Sequence, residues 1–301
     1  MELNGVEIED TFCEGFGSNF ARVIITAKNE KWAKIAGQVT TGYGTSTIHC
    51  DAEAAIDVIL PPDKTPDNRP GVAIMIFVGD KKKIGNVVMN RLGQCVLTCP
   101  TTACFDGMID SLDPSKDFEI KIGDNLRYFG DGFEEKIEGT TNWKIPVMDG
   151  EFICQGATKV GKGVAGGNFL IIAKDQDSGL AAAEASIDAI KDVENVIAAF
   201  PGGIARSGSK VGSKYSFLGA STNDAFCPTL RTKSEKTVLK EGDNCVYEVI
   251  LDGATEDAIK KAMKLGIEAA VKVPGVNRIS AGNYEGKLGK FLYKLHELGL
   301  Q

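Results

Sequence analysis

The sequence predicts an α+β protein built from two ferredoxin-like (split βαβ) lobes related by an internal pseudo-repeat. Two observations carry this. Apolar runs rich in β-branched residues alternate with segments of helical periodicity, and the order strand, helix, strand, strand, helix, strand can be read once in each half of the 301 residues. The halves also share a local phrase: Ile25-Thr26-Ala27-Lys28-Asn29 and Ile172-Ala173-Lys174-Asp175 both close a strand on Ala, Lys and a polar residue, with a helix next. Right-handed crossovers would set the helices on one sheet face. The lobes divide as 1–150, an N-terminal α/β lobe with a hairpin insertion near 108–142, and 151–301, a C-terminal α/β lobe.

Taken in order, residues to about 20 read as a short extended piece with turns at Gly5, Gly15 and Gly17, and Ala21–Lys28 as a strand. Asn29 can cap a helix whose Trp32, Ile35, Ala36 and Val39 recur at i, i+3, i+4, i+7. Thr40–Thr47 reads as a small-residue loop, Asp51–Val58 as a second short helix, and Leu60–Pro70 as a proline-punctuated loop. Gly71–Val78 is a buried strand, and Lys81–Gln94 a helix on Ile84, Val87, Val88 and Leu92. Within the insertion, Asn125–Phe129 and Trp143–Met148 are candidate strands. The second half gives strand Asn168–Lys174, helix Ser178–Asp192, strands Asn195–Phe200 and Asn244–Leu251, and helix Glu256–Val273 capped by Thr255. Strands at Val276–Ser280 and Lys290–Leu295 complete it.

Composition narrows the function classes. A net charge of −7 argues against nucleic acid or an anionic membrane as the main partner. No apolar run approaches the roughly 18 residues of a spanning helix, and the acidic start MELNGVEIEDTF has no secretory h-region. The eight cysteines are therefore expected as reduced, mostly buried thiols in a cytoplasmic protein. The C-x3-C-x4-C spacing of Cys95, Cys99 and Cys104 fits no common metal motif, and with only two histidines no metal site or Cys–His nucleophile is expected. Gly203 and Gly208 have Walker A spacing, but Ser209 stands where lysine is required. Gly42-Tyr43-Gly44 follows a helix rather than a strand, which argues against a dinucleotide fold.

Two features point to chemistry. Phe200–Pro228 is a long glycine-rich and hydroxyl-rich stretch, in which Gly202, Gly203, Ser209 and Asn223 offer backbone and side-chain partners and Arg206, Lys210 and Lys214 positive charge. It holds too many apolar anchors for a disordered linker, so it is either a ligand loop or a glycine-rich connection. The second is Glu248. Strand alternation sets it on one face with Val246 and Ile250, where desolvation would raise its pKa and keep it partly protonated near neutrality. Such an acid can donate to a developing oxyanion or hand a proton to a leaving amine. The other reading is an edge glutamate pointing at solvent. Glu184 and Asp188, four apart on a helix, read as a lobe contact or a solvated flank.

Across nearly its whole length the chain resembles the formylmethanofuran:tetrahydromethanopterin formyltransferase family. The stretches that carry the resemblance include NGVEIEDTF (4–12), TGYGTS (41–46), TPDNRPGV (65–72), GQCVLTCPT (93–101), FPGGI (200–204), STNDAFCP (221–228), VYE (246–248) and SAGNYEGKLGK (280–290). The resemblance implies direct formyl transfer between methanofuran and N5 of tetrahydromethanopterin, both acting as substrates, with no metal or prosthetic group. It implies two-lobed subunits in dimers or tetramers with a cleft at a subunit interface, and an oxyanion-stabilising glutamate that falls on Glu248. The donor-rich loops Gly202–Ser213 and Ser280–Asn283 would then hold the coenzymes, with Ser280 and Asn283 among the contacts. An alternative is a non-catalytic or complex-bound C1-coenzyme-binding subunit of a formylmethanofuran-processing assembly. The sequence departs from the family pattern at Arg206, where a small residue is expected, and at Cys50-Asp51, where Cys-Pro is more usual; Asp51 is expected to cap the helix after it.

Overall fold

The computed structural model describes all residues, 1–301. Two long antiparallel strands, Phe12–Thr26 and Thr158–Ala173, form its spine and pair from Val160 opposite Ala21 to Ala165 opposite Phe16. In the first half the strands lie in the order Glu53–Leu60, Gly71–Val78, Phe12–Thr26, Ala103–Asp106. In the second half the order is Val196–Ala198, Cys245–Gly253, Thr158–Ala173, Val276–Ser280. All these neighbours are antiparallel, and equivalent strands occupy equivalent places. Together with shorter strands they make one fifteen-stranded mixed sheet; Ser209–Val211 and Ala220–Thr222 form a separate small hairpin.

The spine strands serve both halves. The N-terminal part of the first pairs with Phe291–Lys294, while its C-terminal part pairs with Gly71–Val78. Accordingly, Val6, Ile8 and Cys13 lie in the core of the second half and Val160 in that of the first. Gly71–Val78 shows no apolar alternation because all eight residues are buried. Met75 and Phe77 on its far face, with Phe20 of the spine stacked on Phe77, meet Ile197 and Ala254 and close the two halves on each other.

The helices begin where the caps predict. Asn29 accepts from the Trp32 N–H at 3.1 Å and Thr255 from the Ala258 N–H at 3.2 Å. Helix Glu256–Ala270 buries Ile259, Ala262, Met263, Ile267 and Ala270, the expected stripe. Helix Glu30–Gly42 instead buries Ala33, Ala36, Gly37 and Thr40, leaving Val39 53% exposed. The cause is close approach: a Cβ on Gly37 would come within 2.9 Å of the Val72 side chain. No helix is long and apolar enough to cross a membrane.

Three expectations need correction. Residues 51–58 are not a helix; Glu53–Leu60 is a strand against Gly71–Val78, bulged between Ile56 and Val58. Its alanines and acids favour a helix, but an unpaired edge of a fully buried strand is the stronger demand. Asn125–Phe129 is not a strand but the end of a helical turn, Gly123–Leu126, running into a 3-10 turn, Arg127–Gly130. There the Arg127 guanidinium stacks on Trp143 at 4.6 Å, an arrangement set by tertiary contact. The opening residues are also more than a short extended piece, since one strand runs unbroken from Phe12 to Thr26.

Candidate active site

A cavity of about 950 Å³ opens between the two halves, lined from the spine strands, the Cys50–Glu53 segment, the strand Cys245–Gly253 and the loop Ser280–Glu285. Alternation along Cys245–Gly253 buries Tyr247, Val249 and Leu251 under the helices and turns Val246, Glu248 and Ile250 to the other face, where Glu248 and Ile250 line the cavity. The Glu248 backbone is paired on both edges. Leu170 lies opposite on one side, and Ala205 exchanges two bonds of 2.8 and 3.0 Å on the other. Glu248 is therefore on an interior strand, which removes the solvent-edge reading. Burial, and secondarily the negative charge of Glu53, push its carboxyl up to about 7. At neutral pH such a group is poised between acid and base.

Glu14 has the opposite character. It is buried on the spine strand, and its carboxylate accepts the N–H groups of Tyr284 (2.6 Å), Gly286 (2.7 Å), Leu288 (3.0 Å) and Gly289. Burial alone would raise its pKa, but these four donors outweigh it and hold the carboxyl below the usual range. One carboxylate thus folds the Tyr284–Gly289 loop against the cavity, and Gly289 cannot be larger because a Cβ there would meet Glu14 at 2.6 Å. We expect Glu14→Gln to turn one acceptor oxygen into an amide donor facing those N–H groups, at about 1–3 kcal/mol. Faster amide exchange across residues 284–289 and a raised KM with kcat less affected are the results to look for; unchanged exchange would refute the loop-holding role.

The structure brings five other sequence candidates to this cavity: Ser209, Lys210, Asn223, Ser280 and Asn283. Several are already engaged. Lys210 pairs with Asp224, and that bond drives the Asp224 carboxyl down to about 2. Ser280 donates to Glu9, and Asn283 donates to the Phe12 carbonyl at 3.0 Å. Gly202, Gly203 and Arg206 do not line the cavity. Gly202 and Gly203 make a tight turn at φ +64° and +79°, and a Cβ on Gly203 would strike Ile187 at 2.6 Å, so their role is in the turn. Arg206 and Lys214 are exposed away from the cavity. Asp51, expected as a helix cap, has no helix to cap; it forms a two-bonded ion pair with the buried Arg91 at 2.6 and 3.0 Å. Sequence reasoning missed Glu14, Glu53 and Tyr284. The one available signal was an isolated acid among apolar and small residues in Phe12–Phe16.

A family model described as formylmethanofuran-tetrahydromethanopterin formyltransferase matches residues 1–147, and one described as FTR, proximal lobe, matches 150–298. A protein of Methanopyrus kandleri named formylmethanofuran–tetrahydromethanopterin formyltransferase is 53% identical over 99% of this chain and 100% of its own. One of the same name from Methylococcus capsulatus is 51% identical over 99% of each. The solved structure of formylmethanofuran:tetrahydromethanopterin formyltransferase from Methanosarcina barkeri superposes with a TM-score of 0.91 at 47% identity, covering 99% of this chain and 100% of that one. A chain of the formyltransferase/hydrolase complex of Methylorubrum extorquens, solved with methylofuran, gives 0.92 at 41% identity over 99% and 98%.

Proposed function

The chain belongs to the formylmethanofuran–tetrahydromethanopterin formyltransferase family, and from that premise we propose how its cavity carries out formyl transfer. It is an enzyme that moves a formyl group between methanofuran and tetrahydromethanopterin. In the proposed mechanism the pterin N5 attacks the formyl carbon and a tetrahedral oxyanion forms. The C–N bond to the furan-side amine then breaks, and the N5 proton ends on that amine. The acid form of Glu248 donates to the oxyanion and serves the proton transfer. The amine is itself the nucleophile, so this route calls on no further cofactor, and both coenzymes act as substrates. The observation that carries the reading is a carboxyl poised near neutrality on the cavity wall, held by an interior strand. Ser209, Asn223 and the Ser280–Asn283 loop are the proposed coenzyme contacts, with Lys210 available if Asp224 releases it.

We read residues 1–150 and 151–301 as two lobes of split βαβ type, a reading supported by their matching strand orders. A cytoplasmic homo-oligomer, dimer or tetramer, is part of the same proposal. The relative found within a formyltransferase/hydrolase complex favours a second reading, in which the chain works inside a larger assembly. Mixing the purified protein with formylmethanofuran and tetrahydromethanopterin tests the function. Formyl-pterin should appear, and an intact protein without turnover would refute the mechanism. Sedimentation and the partners retained on purification separate the homo-oligomer from the assembly.

A further inference from the structure

Behind Glu248 lies a second pair of acids. Asp252 follows it on the same face of the strand Cys245–Gly253, and Glu53, on the cavity wall, acts on both. Asp252 is fully buried. Its Oδ1 accepts the Gly166 N–H at 3.0 Å, at the point where Ala165 and Gly166 bulge out of the facing strand. Its Oδ2 is buried with no N–H or O–H donor, and the group it faces is the Glu53 carboxyl. A carboxyl sealed from water against a second carboxyl does not ionise beside it, and a proton between the two turns the orphaned oxygen into one end of a hydrogen bond.

We propose that Asp252 and Glu53 share one proton, and that the single negative charge they keep makes Glu53 a positioning residue for the reaction, holding Glu248 as an acid. The proposal rests on Glu248 acting as an acid. The surroundings agree. Of the groups that share the cavity wall with Glu248, the Tyr284 phenol is raised by burial and stays neutral, and the Glu14 carboxylate is taken up by four backbone N–H groups. Glu53 supplies the charge that acts on Glu248. Facing Asp252, the Cys50 thiol is also raised by burial and stays neutral, and the nearby Arg91 charge is matched by Asp51. Asp252 for its part is driven well above an ordinary aspartate, by burial and then by Glu53.

Two measurements on the full chain decide it. With Glu248→Gln as background, which removes the other acid titrating near neutrality, infrared spectroscopy should show a carboxylic-acid carbonyl band above neutral pH; adding Asp252→Asn, whose side-chain carbonyl can still accept from Gly166, should remove it. In the pH profile of kcat, Glu53→Gln should move the alkaline limb down by about one unit, roughly a ten-fold loss at pH 8, with KM within about two-fold. Asp252→Asn, whose amide still donates to a charged Glu53, should move that limb less than Glu53→Gln does. Absence of the band, an unmoved limb in Glu53→Gln, or a larger shift in Asp252→Asn overturns the proposal. Because the infrared arm is read with Glu248 already replaced, it judges the pair even where Glu248→Gln proves active.

Discussion

Glu248→Gln should abolish most formyl transfer and, above neutral pH, make the protein more stable. Glutamine keeps the size and one donor of the acid but cannot give up a proton, so kcat should fall by about 10²–10³ while both coenzymes still bind. The stability change follows from linkage. The folded-state carboxyl titrates at about 7 against an ordinary 4.5, so between those values the folded chain holds more proton than the unfolded one. Wild-type stability therefore falls as pH rises through that window, by about 3 kcal/mol once Glu248 is ionised. Glutamine carries no such penalty. Urea unfolding of the two proteins should nearly coincide near pH 4 and separate by up to that amount at pH 8. Equal midpoints at pH 8 would mean Glu248 is not the desolvated acid described, and near-normal turnover would remove it from the chemistry. Wild-type kcat should also decline as pH rises through about 7, because the acid form is the active one.

What could be read in advance depended on whether the determining partner was near in sequence. Strand alternation is a local rule, so it found the face of Glu248 without any knowledge of the cavity. The caps at Asn29 and Thr255 were legible for the same reason, each acting three residues away. Glu14 was not legible, because the Tyr284 N–H it holds is 270 positions along the chain. Glu53 was lost with its strand: Glu-Ala-Ala-Ile-Asp suggests a helix until Gly71–Val78 is seen to need a neighbour. In Phe200–Pro228, composition identified a donor-rich loop but could not say which part meets the cavity. Ser209, Lys210 and Asn223 do, whereas Gly202 and Gly203 are spent on a turn under Ile187. The departure at Cys50-Asp51 was visible in the sequence, but its purpose depended on Arg91, forty residues on.

That departure gives the largest expected loss of stability. The Arg91 guanidinium has no exposed surface, stacks 4.7 Å over the Tyr43 ring, and has its charge met by both oxygens of Asp51. Its Nε already lacks a partner, and only the Val87 carbonyl would remain for the rest. Asp51→Ala strands a buried cation, which typically costs about 3–5 kcal/mol, and should lower Tm by on the order of 10 °C. A surface pair gives the contrast. Lys287 and Glu285 are both about three-quarters exposed, and Lys287→Ala should leave the unfolding midpoint essentially unchanged. Because the loss comes from the stranded charge rather than from the missing bonds, Asp51→Ala combined with Arg91→Met should recover most of it. A double variant no better than Asp51→Ala alone would show that the pair contributes through geometry instead. Cys50 and Asp51 also line the cavity, so the single variant should lose activity in step with local order around that wall, and the double variant should regain part of it.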